Sequence, residues 1–269
     1  MASPPIAYAA LTLGFALIGG LLPIFSKIKE DPERLKQITG IAAGIIIASA
    51  MLVVIPEGFE LASEEDVDTL MLGGAILVGF VLMLILEGSG FGHAVHEEHH
   101  DHNQEHGHDH VHHGPTGWML LLGLSLHAAT DGLAIGAAAA SGGVAVTAAV
   151  TLAVLIHKAP AAFSLGVFSM HERENRNESI RDVIIFSLAT PVMIIVAFYA
   201  LADLENHLIG LAMLFSAGTF LYVATVDTLP DIHNPETGRK ALIYVLTGVV
   251  LLTFILLGTD AVGLVEHGH

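Results

Sequence analysis

HAATDGLAIG, from His127 to Gly136, and HKAPAAFSLG, from His157 to Gly166, each open on a histidine within a long apolar run. In both, a glycine follows the histidine by nine residues. Ionisable side chains are costly in a bilayer core, so they face a bundle interior and mark ion or proton paths. Two histidines sharing one pattern predict a cation site built by two helices.

Working outward, the chain has 269 residues, 53% of them hydrophobic, and a mean hydropathy of +0.68. Crossing a bilayer takes roughly 20 apolar residues per helix. Eight stretches qualify, at about 5–26, 38–59, 69–88, 117–140, 144–170, 180–202, 208–229 and 240–260. Backbone groups in lipid must be satisfied within a span. The expected fold is therefore an all-α integral membrane protein, one transmembrane domain of eight helices with no separate soluble domain. The first stretch lacks a basic leader and reads as a retained span. There are no cysteines, which excludes disulfides and thiolate metal sites. The net charge of −17 argues against nucleic acid. It fits either attraction of cations or an acidic surface suited to high salt.

The basic residues orient the spans. Lys27, Lys29, Arg34 and Lys36 lie between spans 1 and 2, and Arg173, Arg176 and Arg181 between spans 5 and 6. Arg239 and Lys240 lie between spans 7 and 8, while Lys158 is inside a span. All the loop cations thus fall on one face, which the positive-inside rule makes cytoplasmic. Both termini are then expected outside. The opposite face carries Glu64, Glu65, Asp66, Asp68, Asp203, Glu205 and Glu266, without Lys or Arg.

Span 2 reads AGIIIASAMLVVIPE, Ala43 to Glu57, and span 7 reads AGTFLYVATVDTLPD, Ala217 to Asp231. Each has Ala-Gly, a proline twelve residues after the glycine, then an acid. The two spans run in opposite senses, the mark of an inverted repeat common in secondary transporters. Chance likeness of two apolar helices is the plainer alternative. The repeat gives a 3+2+3 arrangement, with spans 1–3 and 6–8 as halves around spans 4 and 5. It places Glu57 and Glu60 at the outer mouth and Asp227 and Asp231 toward the inner one. Acids at helix ends are commonly just solvated, so a role in the transport path competes with that reading.

His127 and Asp131 are four residues apart and share a helix face. An imidazole and a carboxylate together suit a borderline divalent cation such as Zn²⁺. His157 would supply a third ligand from span 5. Gly132 and Pro160 are expected to weaken both helices near mid-depth. A His127–Asp131 hydrogen bond that only joins helices is the bland alternative, but it leaves His157 unexplained. Lys158 disfavours a second metal beside the first; it either pairs with Asp131 or turns away.

The segment FGHAVHEEHHDHNQEHGHDHVHHG at 91–114 carries His93, His96, His99, His100, His102, His106, His108, His110, His112 and His113. Such tracts bind zinc-like metals weakly and flexibly. It reads as a cytoplasmic metal acceptor or sensor.

These motifs resemble those of the ZIP (Zrt-, Irt-like) family of divalent metal transporters, and the resemblance extends over most of the chain. Members carry HNxPEG-type and HExPEG-type strings in spans 4 and 5. The likeness is greatest to the subgroup with HAAxDG, HKAPAAF and, from Met213 to Val226, MLFSAGTFLYVATV. The resemblance implies eight spans, outer termini, a His-rich loop between spans 3 and 4, and His127, Asp131 and His157 as primary metal ligands. Ala161 stands where many members have a second acid, and Ala128, Lys158 and Thr190 stand where members with two adjacent metals place further ligands. It therefore implies one core metal, with the Lys158 ammonium in place of a second. Asp227 falls on a polar pair leading to the cytoplasm. A homodimer, and an elevator-like shift of spans 1, 4, 5 and 6, are also implied.

The expectation is a plasma-membrane importer of divalent metal, zinc first, with the metal as cargo rather than a prosthetic group, and no enzyme activity. Its partners are metal ions, the lipid bilayer and a second copy. Metal binding needs neutral imidazole, so uptake is expected to weaken as pH falls through the ordinary histidine range. Three ligands plus water is also a catalytic zinc pattern, which leaves an intramembrane hydrolase as a rival, although spans 4 and 5 carry no HExxH string. An exporter loaded by the His tract and a metal-gated receptor without flux are rivals as well.

Overall fold

The computed structural model describes residues 5–25, 32–63, 67–89, 117–173, 175–233 and 237–261. Among them the chain is helical, with no strand. The helices are α1 (Ile6–Phe25), α2 (Pro32–Ser49), α3 (Ile55–Ser63), α4 (Thr69–Gly88), α5 (Gly117–Ala140), α6 (Val144–Glu172), α7 (Arg176–Leu201), α8 (Asn206–His233) and α9 (Gly238–Ala261). Eight helical runs are long and apolar enough to cross a bilayer, and α2 and α3 share one of them, Lys36–Ser63. The His-rich loop, Glu64–Asp66 and the two ends of the chain lie outside the described residues.

Helix ends are fixed by local chemistry. The Asp68 carboxylate accepts from the Leu70 N–H at the start of α4, and the Asn175 side chain does the same for Asn177 at the start of α7. Gly142, at φ 82°, makes the tight turn between α5 and α6, a conformation that glycine adopts without steric cost.

Two of the sequence's cues act differently from expectation. α5 and α6 run unbroken through Gly132 and Pro160. Span 2 is the irregular one, with a π-helical turn at Ala50–Val54. Pro56 has no N–H for the carbonyl of Leu52. The Ile55 N–H reaches back to the Ala50 carbonyl instead, which widens the ladder by one residue.

The spans pack as two groups. α1, α5, α6 and α7 form one, mainly through α5 on α7 and α1 on α6; α2, α3, α4, α8 and α9 form the other, through α2 on α9, α4 on α8 and α3 on α8. These pairings carry the inverted repeat. Gly44 of α2 lies on the Val245 carbonyl of α9, and Gly248 of α9 on that of Ile41. In the same way Gly218 of α8 lies on the Ile76 carbonyl of α4, and Gly79 of α4 on that of Phe215. Gly44 and Gly218 are the glycines of the two Ala-Gly strings. At each crossing a Cβ would strike backbone, so only glycine permits the approach.

The groups meet through a cluster of apolar side chains. It includes Ala134, Ile135, Ala138, Val150 and Val154 on one side and Ala50, Val53, Val54, Met213, Ala217 and Phe220 on the other. It lies toward the α5–α6 turn.

Candidate metal centre

His127 and Asp131 lie on α5 and His157 on α6, all buried, at 7%, 1% and 7% exposure. One ligand atom from each lies within 4.8 Å of the others. Among the described residues this is the group of histidines and acids close enough to share an ion. His127 Nε2 is 3.7 Å from Asp131 Oδ1, and His157 Nε2 is 3.3 Å from Asp131 Oδ2. The four-residue spacing thus puts the first pair on one face, and the close packing of α6 brings the third residue to it.

His157 is oriented from behind. Its Nδ1 lies 2.9 Å from the Ala153 carbonyl, which leaves Nε2 directed at Asp131. A backbone acceptor on the far nitrogen is the usual way a metal-binding imidazole is held. The ring meets Phe220 of α8 edge-on, with centroids 6.3 Å apart, and the His127 ring at 5.6 Å. His127 Nδ1 and Asp131 Oδ1 are buried without a hydrogen-bond partner. Buried polar atoms are normally satisfied, so two unpaired ones at the cluster fit a site made for a cation.

Lys158 turns into the site. Its Nζ is 4.0 Å from Asp131 Oδ2 and 4.5 Å from the centre of the Phe186 ring. Thr190 packs helices: its hydroxyl donates to the Ala128 carbonyl at 2.6 Å, tying α7 to α5. Gly132 admits the Thr190 carbonyl at the same crossing.

Of the remaining candidates from the sequence, Glu57 and Glu60 do not join this cluster. Glu57 is half-buried and Glu60 exposed, both on α3 beyond the π turn. Asp227 and Asp231 belong to α8, but their side chains are outside the described set, as are the ten loop histidines.

A second polar cluster is not apparent from the sequence. Asp182 of α7 is buried and accepts from Ser169 Oγ at 3.0 Å, Arg173 Nε at 2.8 Å and Arg181 Nη2 at 3.1 Å. Both guanidinium groups also lie over the Trp118 ring, at 5.0 and 4.7 Å. Arg176 donates to the Ile24 carbonyl at 3.0 Å and stacks on Phe25. These contacts tie together one end of α1, α5, α6 and α7. An acid among three arginines where a span begins is the signal that points to it.

A family profile described as "ZIP Zinc transporter" matches residues 4–113 and 89–256. The zinc transporter ZIP9 of Xenopus tropicalis is 32% identical over 265 residues, covering 82% of this chain and 84% of that protein. ZIP9 of Micropogonias undulatus is 32% identical over 259 residues, with 80% of each covered. Human zinc transporter ZIP2 is 31% identical over 144 residues, covering 52% of this chain and 46% of its own.

Proposed function

Since this chain belongs to the ZIP zinc transporter family, we propose that it carries Zn²⁺ across a membrane through the His127–Asp131–His157 cluster. The observation that carries this reading is the burial of two imidazoles and one carboxylate within 4.8 Å of one another, between helices that span the bilayer. Nitrogen and oxygen ligands in that number suit zinc, and a fourth position stays open for water or for a transit ligand.

In this reading the metal enters past Glu57 and Glu60 and exchanges its water for His127, Asp131 and His157. It then leaves by way of Asp227 and Asp231 toward the His-rich loop. Inward flux, a plasma-membrane location, outer termini and a homodimer complete the proposal. The face that gathers Arg173, Arg176, Arg181, Arg239 and Lys240 supports the orientation. A transporter is favoured over a hydrolase because Asp131, the carboxylate of the cluster, is used as a ligand and leaves no second acid in that group for proton transfer.

The test is zinc uptake into proteoliposomes by wild type and by His127→Ala combined with His157→Ala, at matched protein levels. Time-dependent accumulation that the double variant loses is expected. Metal binding without flux in wild type would remove the transport reading.

A further inference from the structure

We propose that Lys158 is the counter-cation of the empty site: its ammonium compensates the Asp131 carboxylate while no metal is bound, and yields it to an arriving divalent cation. This inference rests on the transport reading above and adds a step to it, the return of the unloaded carrier.

Lys158 is only 1% exposed. Lysine is almost never so deeply buried unless its charge is paired. The charged group facing its ammonium is Asp131, at 4.0 Å, and the Nζ makes no hydrogen bond. A committed charge-assisted hydrogen bond closes to about 2.7–2.9 Å, so this ammonium is held by charge across a gap. On its other side it rests over Phe186 at 4.5 Å, a ring face that accepts a cation. Lysine carries its charge on a flexible four-carbon stem. In its one position the ammonium thus has the carboxylate on one side and the ring on the other.

The charges separate the two states. Without metal, carboxylate and ammonium sum to zero, and the site can sit in a low-dielectric bundle without an uncompensated ion. With a divalent cation bound, Asp131 is neutralised by the metal and the ammonium faces a like charge. Lys158 then keeps only Phe186 as a favourable neighbour, and its charge weakens the grip on the metal, which favours release. Removing the ammonium strands a bare carboxylate in the empty carrier and tightens the loaded one.

The test uses full-length protein in proteoliposomes, wild type against Lys158→Met, with radioactive zinc. Exchange, with zinc on both sides, needs only loaded transits. Net uptake into zinc-free vesicles needs the empty return. We expect net uptake to fall about tenfold further than exchange does, and a zinc Kd tighter by about tenfold. If Lys158→Met does not assemble, the same split is read in Lys158→Gln, while Lys158→Arg keeps its charge and its net uptake. Net uptake and exchange falling together, both staying unchanged, or a weaker Kd would each overturn the proposal. If wild type shows neither flux, the transport reading fails instead, and the Kd shift still reports on Lys158.

Discussion

Asp131 of α5 and His157 of α6 approach to 3.3 Å across a helix boundary, through Oδ2 and Nε2. With His127 behind the other carboxylate oxygen, each of the three side chains has a distinct place around one small volume. Loss of an outer partner of a metal ligand already costs about 10–100-fold in affinity. We therefore expect Asp131→Asn, His157→Ala and His127→Ala each to lower zinc affinity by at least about tenfold. Calorimetry on purified protein checks this, and wild-type affinity in all three variants would place the metal elsewhere.

Proton and metal compete for the same imidazole nitrogen. Lower pH favours the proton, so zinc uptake is expected to decline between about pH 8 and about pH 5.5. Binding should release protons to the buffer, measurable as a dependence of binding heat on buffer ionisation enthalpy. Uptake that stays flat over that interval would count against histidine ligation.

Gly44 and Gly218 hold equivalent positions in the two repeats and each lies against a backbone carbonyl of its partner helix. Gly44→Ala and Gly218→Ala are expected to destabilise by similar amounts, about 1–3 kcal/mol, the range for overpacking. Gly73 and Gly74 of α4 have open space where a Cβ would go. Alanine there should be neutral or slightly stabilising, by up to about 1 kcal/mol. Thermal unfolding in detergent compares the four variants.

Asp182 collects Ser169, Arg173 and Arg181 at the end of the α1–α5–α6–α7 group. Taking one partner from a buried ion cluster typically costs about 3–5 kcal/mol. Arg181 is 44% exposed, and water screens its share, so Asp182→Ala should cost about 3 kcal/mol. A lower melting temperature with zinc affinity unchanged is expected, since Asp182 is not part of the metal cluster.

The chain has no cysteine, so single cysteines report topology cleanly. Glu205 and Asn177 are exposed at the two ends of α7. A membrane-impermeant maleimide should label Glu205→Cys in intact cells and Asn177→Cys only after permeabilisation. The reverse pattern would invert the orientation drawn from the arginines and lysines.

Much of this architecture is legible in the sequence because lipid leaves the chain few choices. A run of about 20 apolar residues must be helical, and His127, Asp131 and His157 stand out against such runs. The Ala-Gly strings at Ala43 and Ala217 reveal the repeat because close helix crossings admit only glycine. The direction of Lys158 is not legible, since a long side chain at the boundary between two faces can turn either way. Nor is the π turn: Pro56 announces a missing donor, but not whether the helix kinks or widens. The Asp182 cluster joins residues from three helices, and one span's pattern cannot show which others it meets.

Every glycine in the spans whose Cβ would strike another helix meets a helix of its own group, among the described residues: Gly19 and Gly166 between α1 and α6, Gly20 against α7 and α6, Gly132 and Gly136 against α7, and Gly40, Gly44, Gly58, Gly79, Gly210, Gly218 and Gly248 in the other group. Backbones that interlock cannot pass one another without first parting. The boundary between the groups is made instead of alanine, valine, isoleucine, methionine and phenylalanine side chains, with no such tooth across it among the described residues. The molecule is thus two interlocked blocks that meet along an apolar seam. His127, Asp131 and His157 all belong to one block, with Phe220 of the other resting on its edge. A displacement of one block along that seam would carry the whole ligand set together, because all three ligands sit on the same block.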